Sequence, residues 1–140
     1  MERVLIISAD LEWANYYRCA LHAAGFQVSS AENAWTGLQL ARSESPEGIL
    51  VELEPPGKIG LWVLRQFRER GFEQTPIILL TSTFDLPTIE AAFNSGASTV
   101  LDRRVSTGAE VVKIFKYVLG FRLSKSGTAF HPWVAPHDRR

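Results

Sequence analysis

An α/β fold with a parallel sheet covered on both faces is predicted by three features of the chain. Short apolar runs recur, five in all, and each is followed by a segment with helical spacing. Several runs are unbroken and rich in β-branched residues, as strands buried on two sides require. Gly and Pro punctuate the joins between runs and helical segments.

The elements follow in order. Val4-Leu5-Ile6-Ile7 is the first strand, and Ser8 or Asp10 can cap the helix after it. Leu11, Ala14, Arg18, Leu21 and His22 lie at helical spacing until Gly25 stops the helix. Phe26-Gln27-Val28-Ser29-Ser30 alternates, which predicts a more exposed strand near an edge. Asn33 caps a helix carrying Ala34, Leu38 and Ala41, broken by Pro46 and Gly48. Ile49 to Leu53 is the third strand. It runs into Glu54-Pro55-Pro56-Gly57, a loop, because proline lacks the N–H that a ladder or helix needs.

Residues 59–71 are helical, with Leu61, Leu64 and Phe67 or Arg68 along one side. Pro76 to Thr81 is a fourth strand, Leu86 to Asn94 a short helix closed by Gly96, and Ser98 to Leu101 a fifth strand. Gly108 to Arg122 is the last helix, with Val111, Ile114, Phe115 and Val118 on its apolar stripe. Residues 124–140 leave this rhythm: Ser, Lys, Gly, Pro and His dominate, with Phe130 and Trp133 interleaved. The expected division is a folded domain over 1–123 and a tail or linker over 124–140.

A chain of 140 residues fits one domain with a real core. Fifteen basic and fifteen acidic side chains give zero formal charge, so bulk electrostatics favours neither nucleic acid nor membrane. No helix–turn–helix pattern is present. Cys19 is the single cysteine, which excludes an internal disulfide and fits a reducing, cytoplasmic setting. The N-terminal apolar run is too short for a secretory signal or a membrane span.

In doubly wound sheets the working groups sit at the carboxyl ends of the strands. Here those positions are Ser8 to Asp10, Glu52 to Gly57, Thr81 to Asp85 and Asp102 to Arg104. Across residues 2–122 these segments resemble the receiver domains of two-component response regulators. The resemblance rests on Val4-Leu5-Ile6-Ile7, on Ile49 to Gly60 with its Pro-Gly and later Gly, on Ile77-Ile78-Leu79-Leu80-Thr81, and on Ser95-Gly96-Ala97 leading into Ser98 to Leu101. It implies a flavodoxin-like (βα)5 fold with strand order 2-1-3-4-5.

The resemblance also implies a chemistry: an aspartate after the third strand takes a phosphoryl group, an acidic pair after the first strand helps to hold magnesium, and a hydroxyl and a lysine grip the phosphoryl oxygens. This chain departs from that set. The acidic pair falls on Ser8 and Ala9, the acceptor on Glu52, and the lysine on Arg103, followed by Arg104; Thr81 alone keeps its type. Asp10 lies one position beyond the pair. A hard cation lacks anionic oxygen here, and glutamate carries its carboxylate one methylene further out than in-line transfer tolerates. Val100 stands where the family often has an aromatic switch residue, and it cannot swing as a ring does.

The expectation is therefore a receiver domain that is not an enzyme, holds no cofactor or metal, and signals through protein–protein contacts without phosphorylation. Glu52 either pairs with Arg103, with Thr81 beside it, or is a half-exposed acid that drifted. The alternative is a phosphoaccepting receiver with an unusual acceptor. A flavin-binding protein on the same fold is disfavoured, because Ser8-Ala9-Asp10-Leu11-Glu12-Trp13 has no glycine and two acids that repel phosphate. Candidate interaction residues are Trp35 and Trp62, and Val112, Tyr117 and Leu119 on the outer face of the last helix. In the resembled family the fourth helix, fifth strand and fifth helix often form the partner or self-association surface; coverage of the last helix by Phe130 and Trp133 is the bland alternative. Trp13 is expected to pack at the start of the first helix, Cys19 in or near the core, and His22 on an ordinary helix surface, while His131 and His137 lack the spacing of metal ligands.

Overall fold

The computed structural model of the protein describes residues 2–52 and 57–124. Its elements are β1 (Arg3–Ser8), α1 (Leu11–Ala23), β2 (Gln27–Ala31), α2 (Ala34–Glu44), β3 (Gly48–Glu52), α3 (Gly57–Glu69), β4 (Ile77–Thr81), α4 (Leu86–Ser95), β5 (Thr99–Asp102) and α5 (Gly108–Ser124). The five strands form one parallel sheet in the order β2-β1-β3-β4-β5. Strand order reverses between β1 and β3, which opens a crevice at their carboxyl ends.

Burial explains why the central strands lack alternation. Every residue of β3 and β4 is buried, because helices cover both faces. β2, at the edge, keeps Gln27 and Ser30 exposed. One core layer sets Leu5, Ile7, Ile49, Val51, Ile77 and Leu79 against α2, α3 and α4 through Leu38, Ala41, Val63, Leu64, Phe67 and Ala92. The other sets Val4, Ile6, Leu50, Ile78 and Leu80 against α1 and α5 through Ala14, Tyr17, Leu21, Val111, Phe115 and Leu119. Each such side chain contributes about 1.5–3 kcal/mol of burial. The two layers meet at Gly48, where a Cβ would lie 2.7 Å from the Phe115 ring.

Helix starts follow the expected capping chemistry. Asp10, Asn33 and Asp85 accept from the backbone N–H groups of Trp13 (3.2 Å), Thr36 (2.8 Å) and Thr88 (3.0 Å). Hydrogen bonds from Thr88 hold the Asp85 carboxyl below the usual carboxylate range. α2 ends on Ser45 in the left-handed region (φ 50°), one residue before Pro46.

At the amino edge of the sheet, Arg68 at the end of α3 ties four segments together. Its Nε and Nη2 donate to Gly96 O at 2.9 and 2.7 Å, Nη1 donates to Thr75 O at 2.8 Å and also to Phe72 O, and Nη2 reaches Ser98 Oγ at 3.3 Å. Gly96 has φ 123°, and a Cβ there would lie 2.6 Å from Arg68 Cγ, so only glycine lets the guanidinium in. Burial lowers the Arg68 pKa from its ordinary value, with Glu73 opposing.

Four expectations need correction. The buried stripe of α1 is Ala14, Tyr17 and Leu21, while Leu11, Arg18 and His22 are exposed. Cys19 is exposed too, because it lies on the helix face opposite Tyr17 and Leu21. Leu119 is buried rather than outward: α5 presents a wide stripe of Val111, Phe115, Val118 and Leu119 to the sheet. Val112 is half-buried against the same core. The expected Pro-rich loop lies largely outside the described residues, as do Phe130, Trp133, His131 and His137; Gly57 opens α3. Among the described residues no helix is long and apolar enough to cross a membrane.

Candidate functional site

The crevice site is assembled by strand parity and register. Side chains alternate along a strand, so Ser8 shares a face with Val4 and Ile6, and Glu52 shares that face with Leu50. Ser8 and Glu52 are register partners in the β1–β3 ladder. Their side chains therefore meet: Ser8 Oγ donates to Glu52 Oε1 at 2.7 Å. Both are buried, Ser8 to 1% and Glu52 to 2% exposure. Glu52 is thus not the half-exposed acid of one expectation.

Arg103 closes the site from the end of β5. Its Nη1 lies 3.0 Å from Glu52 Oε2, off the N–H axis, which makes this a charge contact rather than an aligned hydrogen bond. Its Nη2 donates to Asp10 Oδ2 at 2.9 Å, and the guanidinium stacks 4.9 Å from the centre of the Trp13 ring. One planar cation thus spans two carboxylates and one indole, a fork that lysine does not offer. Thr81 falls on the other strand parity, with Ile77 and Leu79. It acts through its backbone: Thr81 O accepts from Arg103 N at 2.9 Å, which fixes where Arg103 leaves the sheet. Its hydroxyl oxygen accepts from Thr83 N at 3.0 Å.

The loop after β5 is stapled to α1 beyond Arg103 as well. Tyr17 Oη donates to Ser106 O at 2.5 Å, and Gly108 N donates to Tyr16 Oη at 2.7 Å. Trp13, Tyr17 and Tyr16 form a continuous aromatic ladder with centroid separations of 4.3 and 4.8 Å. Burial pushes the Tyr17 phenol up to about 12, with Tyr16 and Glu110 adding to the rise and Arg103 opposing it. Sequence reasoning singled out Asp10 only as a cap and missed Tyr16 and Tyr17 entirely. The available signal was positional: Asp10 and Arg103 both follow strand ends at the carboxyl edge. Arg104 pairs with Asp102 at 3.0 Å on the surface.

A hard divalent cation does not fit this donor set. Ser8 and Ala9 supply no carboxylate, Asp10 is engaged by Trp13 N and Arg103, and Glu52 is engaged by Ser8 and Arg103. Among the described residues no three His, Cys, Asp or Glu side chains gather where a metal could sit. A fixed guanidinium 3.0 Å from the only acid at the strand tip also repels a second cation.

The remaining candidates scatter. Val100 is buried at 3% in the layer under α2, α3 and α4. Trp35 and Trp62 are exposed at 59% and 39%, and Tyr117 at 48%.

A doubly wound parallel sheet in this order, with its acid at the tip of β3 and its cation after β5, defines the class of receiver-like domains. The family model for the response regulator receiver domain matches residues 4–115, and the chain belongs to that family. It is 33% identical over 112 residues to the probable transcriptional regulatory protein y4xI of Sinorhizobium fredii, covering 80% of this chain and 48% of the relative. It is 28% identical over 101 residues to response regulator MprA of Mycolicibacterium vanbaalenii, covering 72% of this chain and 43% of that protein. The chain thus spans less than half the length of these relatives. A CheY-like receiver domain protein from Methanospirillum hungatei superposes with a TM-score of 0.79 at 20% identity, covering 90% of this chain and 99% of that one. A putative response regulator from Chloroflexus aurantiacus gives 0.76 at 25% identity, covering 85% and 98%.

Proposed function

We propose that this receiver domain works in two-component signalling as a phosphorylation-independent protein-interaction module. The observation that carries the reading is the Glu52–Arg103–Asp10 bridge. The carboxylate at the acceptor position is already neutralised and hydrogen-bonded, so it is a poor nucleophile, and no anionic pair stands by to seat a metal. An internal cation takes the place that charge neutralisation of an incoming phosphoryl group needs. The domain is then held in one conformation by its own side chains. No catalytic role follows from this arrangement, and a cytoplasmic setting is consistent with it.

Incubation of the protein with acetyl phosphate and magnesium, read by intact mass, tests the reading. The expected result is no mass gain. A single added phosphoryl group mapped to Glu52 or Asp10 would overturn it in favour of an unusual phosphoacceptor. Self-association through α4, β5 and α5 is a further part of the proposal, with Tyr117 and Phe93, the latter 43% exposed, as the apolar contacts. Light scattering across a concentration series checks it: a monomer at every concentration removes that part.

A further inference from the structure

Most of the large apolar side chains left in solvent sit at one edge of the molecule. Trp35 opens α2, Ile59 and Trp62 lie in the first turns of α3, and Phe84 and Leu86 flank the start of α4; their exposures are 59%, 60%, 39%, 37% and 67%. α2, α3 and α4 pack side by side on one face of the sheet, and their first turns all stand at the carboxyl edge of the strands. The five side chains therefore form one shelf along three neighbouring helix ends, separate from the α1–α5 side where Arg103 is anchored. Single exposed apolar residues are ordinary, but a contiguous set that includes two tryptophans is the composition of a binding surface.

The charge around this shelf has one sign. Glu32, Asp85 and Glu90 are exposed beside it. No Lys or Arg occurs in residues 31–38, 59–64 or 82–95, and the formal balance stays negative when the adjoining Lys58 is counted. The chain as a whole is neutral, so this acidity is local.

We infer that the α2–α3–α4 shelf docks a partner segment that carries apolar side chains flanked by lysine or arginine. The inference rests on the adaptor reading above and supplies its surface and the chemistry of its partner. Aromatic anchors supply the burial, and the acidic border supplies orientation and rejects acidic competitors.

The probe is a synthetic helical peptide of leucine and lysine, with a leucine–glutamate peptide of the same spacing as its counterpart. Indole N–H resonances of the full chain report where it binds. The leucine–lysine peptide is expected to shift the Trp35 and Trp62 signals saturably, and the leucine–glutamate peptide is not. Trp35→Asp with Trp62→Asp should weaken binding at least tenfold, and Glu32→Lys with Glu90→Lys, which leaves every apolar contact in place, should weaken it and flatten its salt dependence. Equal binding of both peptides, or shifts confined to Trp13, overturns the inference. So do free-state Trp35 and Trp62 signals that move with protein concentration, which indicates a second copy on the shelf, or signals that move when Lys125, Arg139 and Arg140 are changed to Glu, which indicates the chain's own C-terminal segment. Running the titration with and without acetyl phosphate separates the two claims. Binding that requires acetyl phosphate removes the adaptor reading and keeps the shelf; no binding in either condition removes the shelf alone.

Discussion

Arg68 and Arg103 stand at opposite edges of the same sheet, and each spans several elements. Arg68 is held by neutral acceptors, the carbonyls of Gly96, Phe72 and Thr75 and the hydroxyl of Ser98. Arg103 is held by charge and by a ring, through Glu52, Asp10 and Trp13. The first closes helix ends whose carbonyls need donors, so its role is architectural. The second cancels a buried negative charge that the fold itself has created at the tip of β3. The same side chain is a strut at one edge and a counterion at the other, and the two roles differ in how they fail.

The largest effect should come from Arg103→Ala. It strips the countercharge from a carboxylate that is 2% exposed, and a loss of about 3 kcal/mol is expected in urea unfolding. Adding Glu52→Leu to that variant should recover most of the loss, because the buried charge goes with its partner; a double variant no more stable than the single would remove the counterion account. Arg68→Ala should cost less, about 2 kcal/mol, since water can reach helix-end carbonyls that lose a charged donor. Lysine sharpens the contrast. Arg103→Lys should keep much of the stability, because a point charge still neutralises Glu52, whereas Arg68→Lys should recover little, because one ammonium cannot bridge Gly96, Phe72 and Thr75 together. Equal rescue at both positions would erase the distinction.

Smaller effects lie in the alkaline range. The Tyr17 phenol is raised in the fold, so its contribution is complete below pH 10.0, the ordinary phenol value, and is lost as pH climbs towards about 12. Tyr17→Phe should flatten that part of a stability-versus-pH curve. Arg103→Ala should push the phenol still higher, because Arg103 opposes the rise, and an ultraviolet titration reads the direction. The smallest effect is expected from Arg104→Ala. Its pair with Asp102 is solvated, and the thermal midpoint should not move measurably.

The layout of the fold was legible because apolar runs and breakers are local signals. The runs 4–7, 49–53 and 77–81 are unbroken since helices cover both faces, and residues 26–30 alternate since β2 is an edge strand. Faces of helices were less legible. In α1 the adjacent Tyr16, Tyr17 and Arg18 allow more than one stripe, and tertiary packing chose the one through Tyr17. In α5 a nearly continuous apolar sequence hides how wide the buried face is, which is why Leu119 turned inward. The acid and cation of the site could be placed by counting strand ends. Asp10 on Arg103 and the Tyr16 and Tyr17 links to the following loop join residues about ninety positions apart in sequence, and no local pattern encodes such pairings.

Gly48 and Phe115 occupy what is in effect a single allotment of volume, since a methyl at 48 would intrude on the ring. The two positions are therefore not free to vary separately. A library randomised at both and sorted for folding should return anticorrelated sizes, with bulk at one position accompanied by truncation at the other. The start of β3 and the middle of α5 would then drift together through sequence space, linked by shape alone.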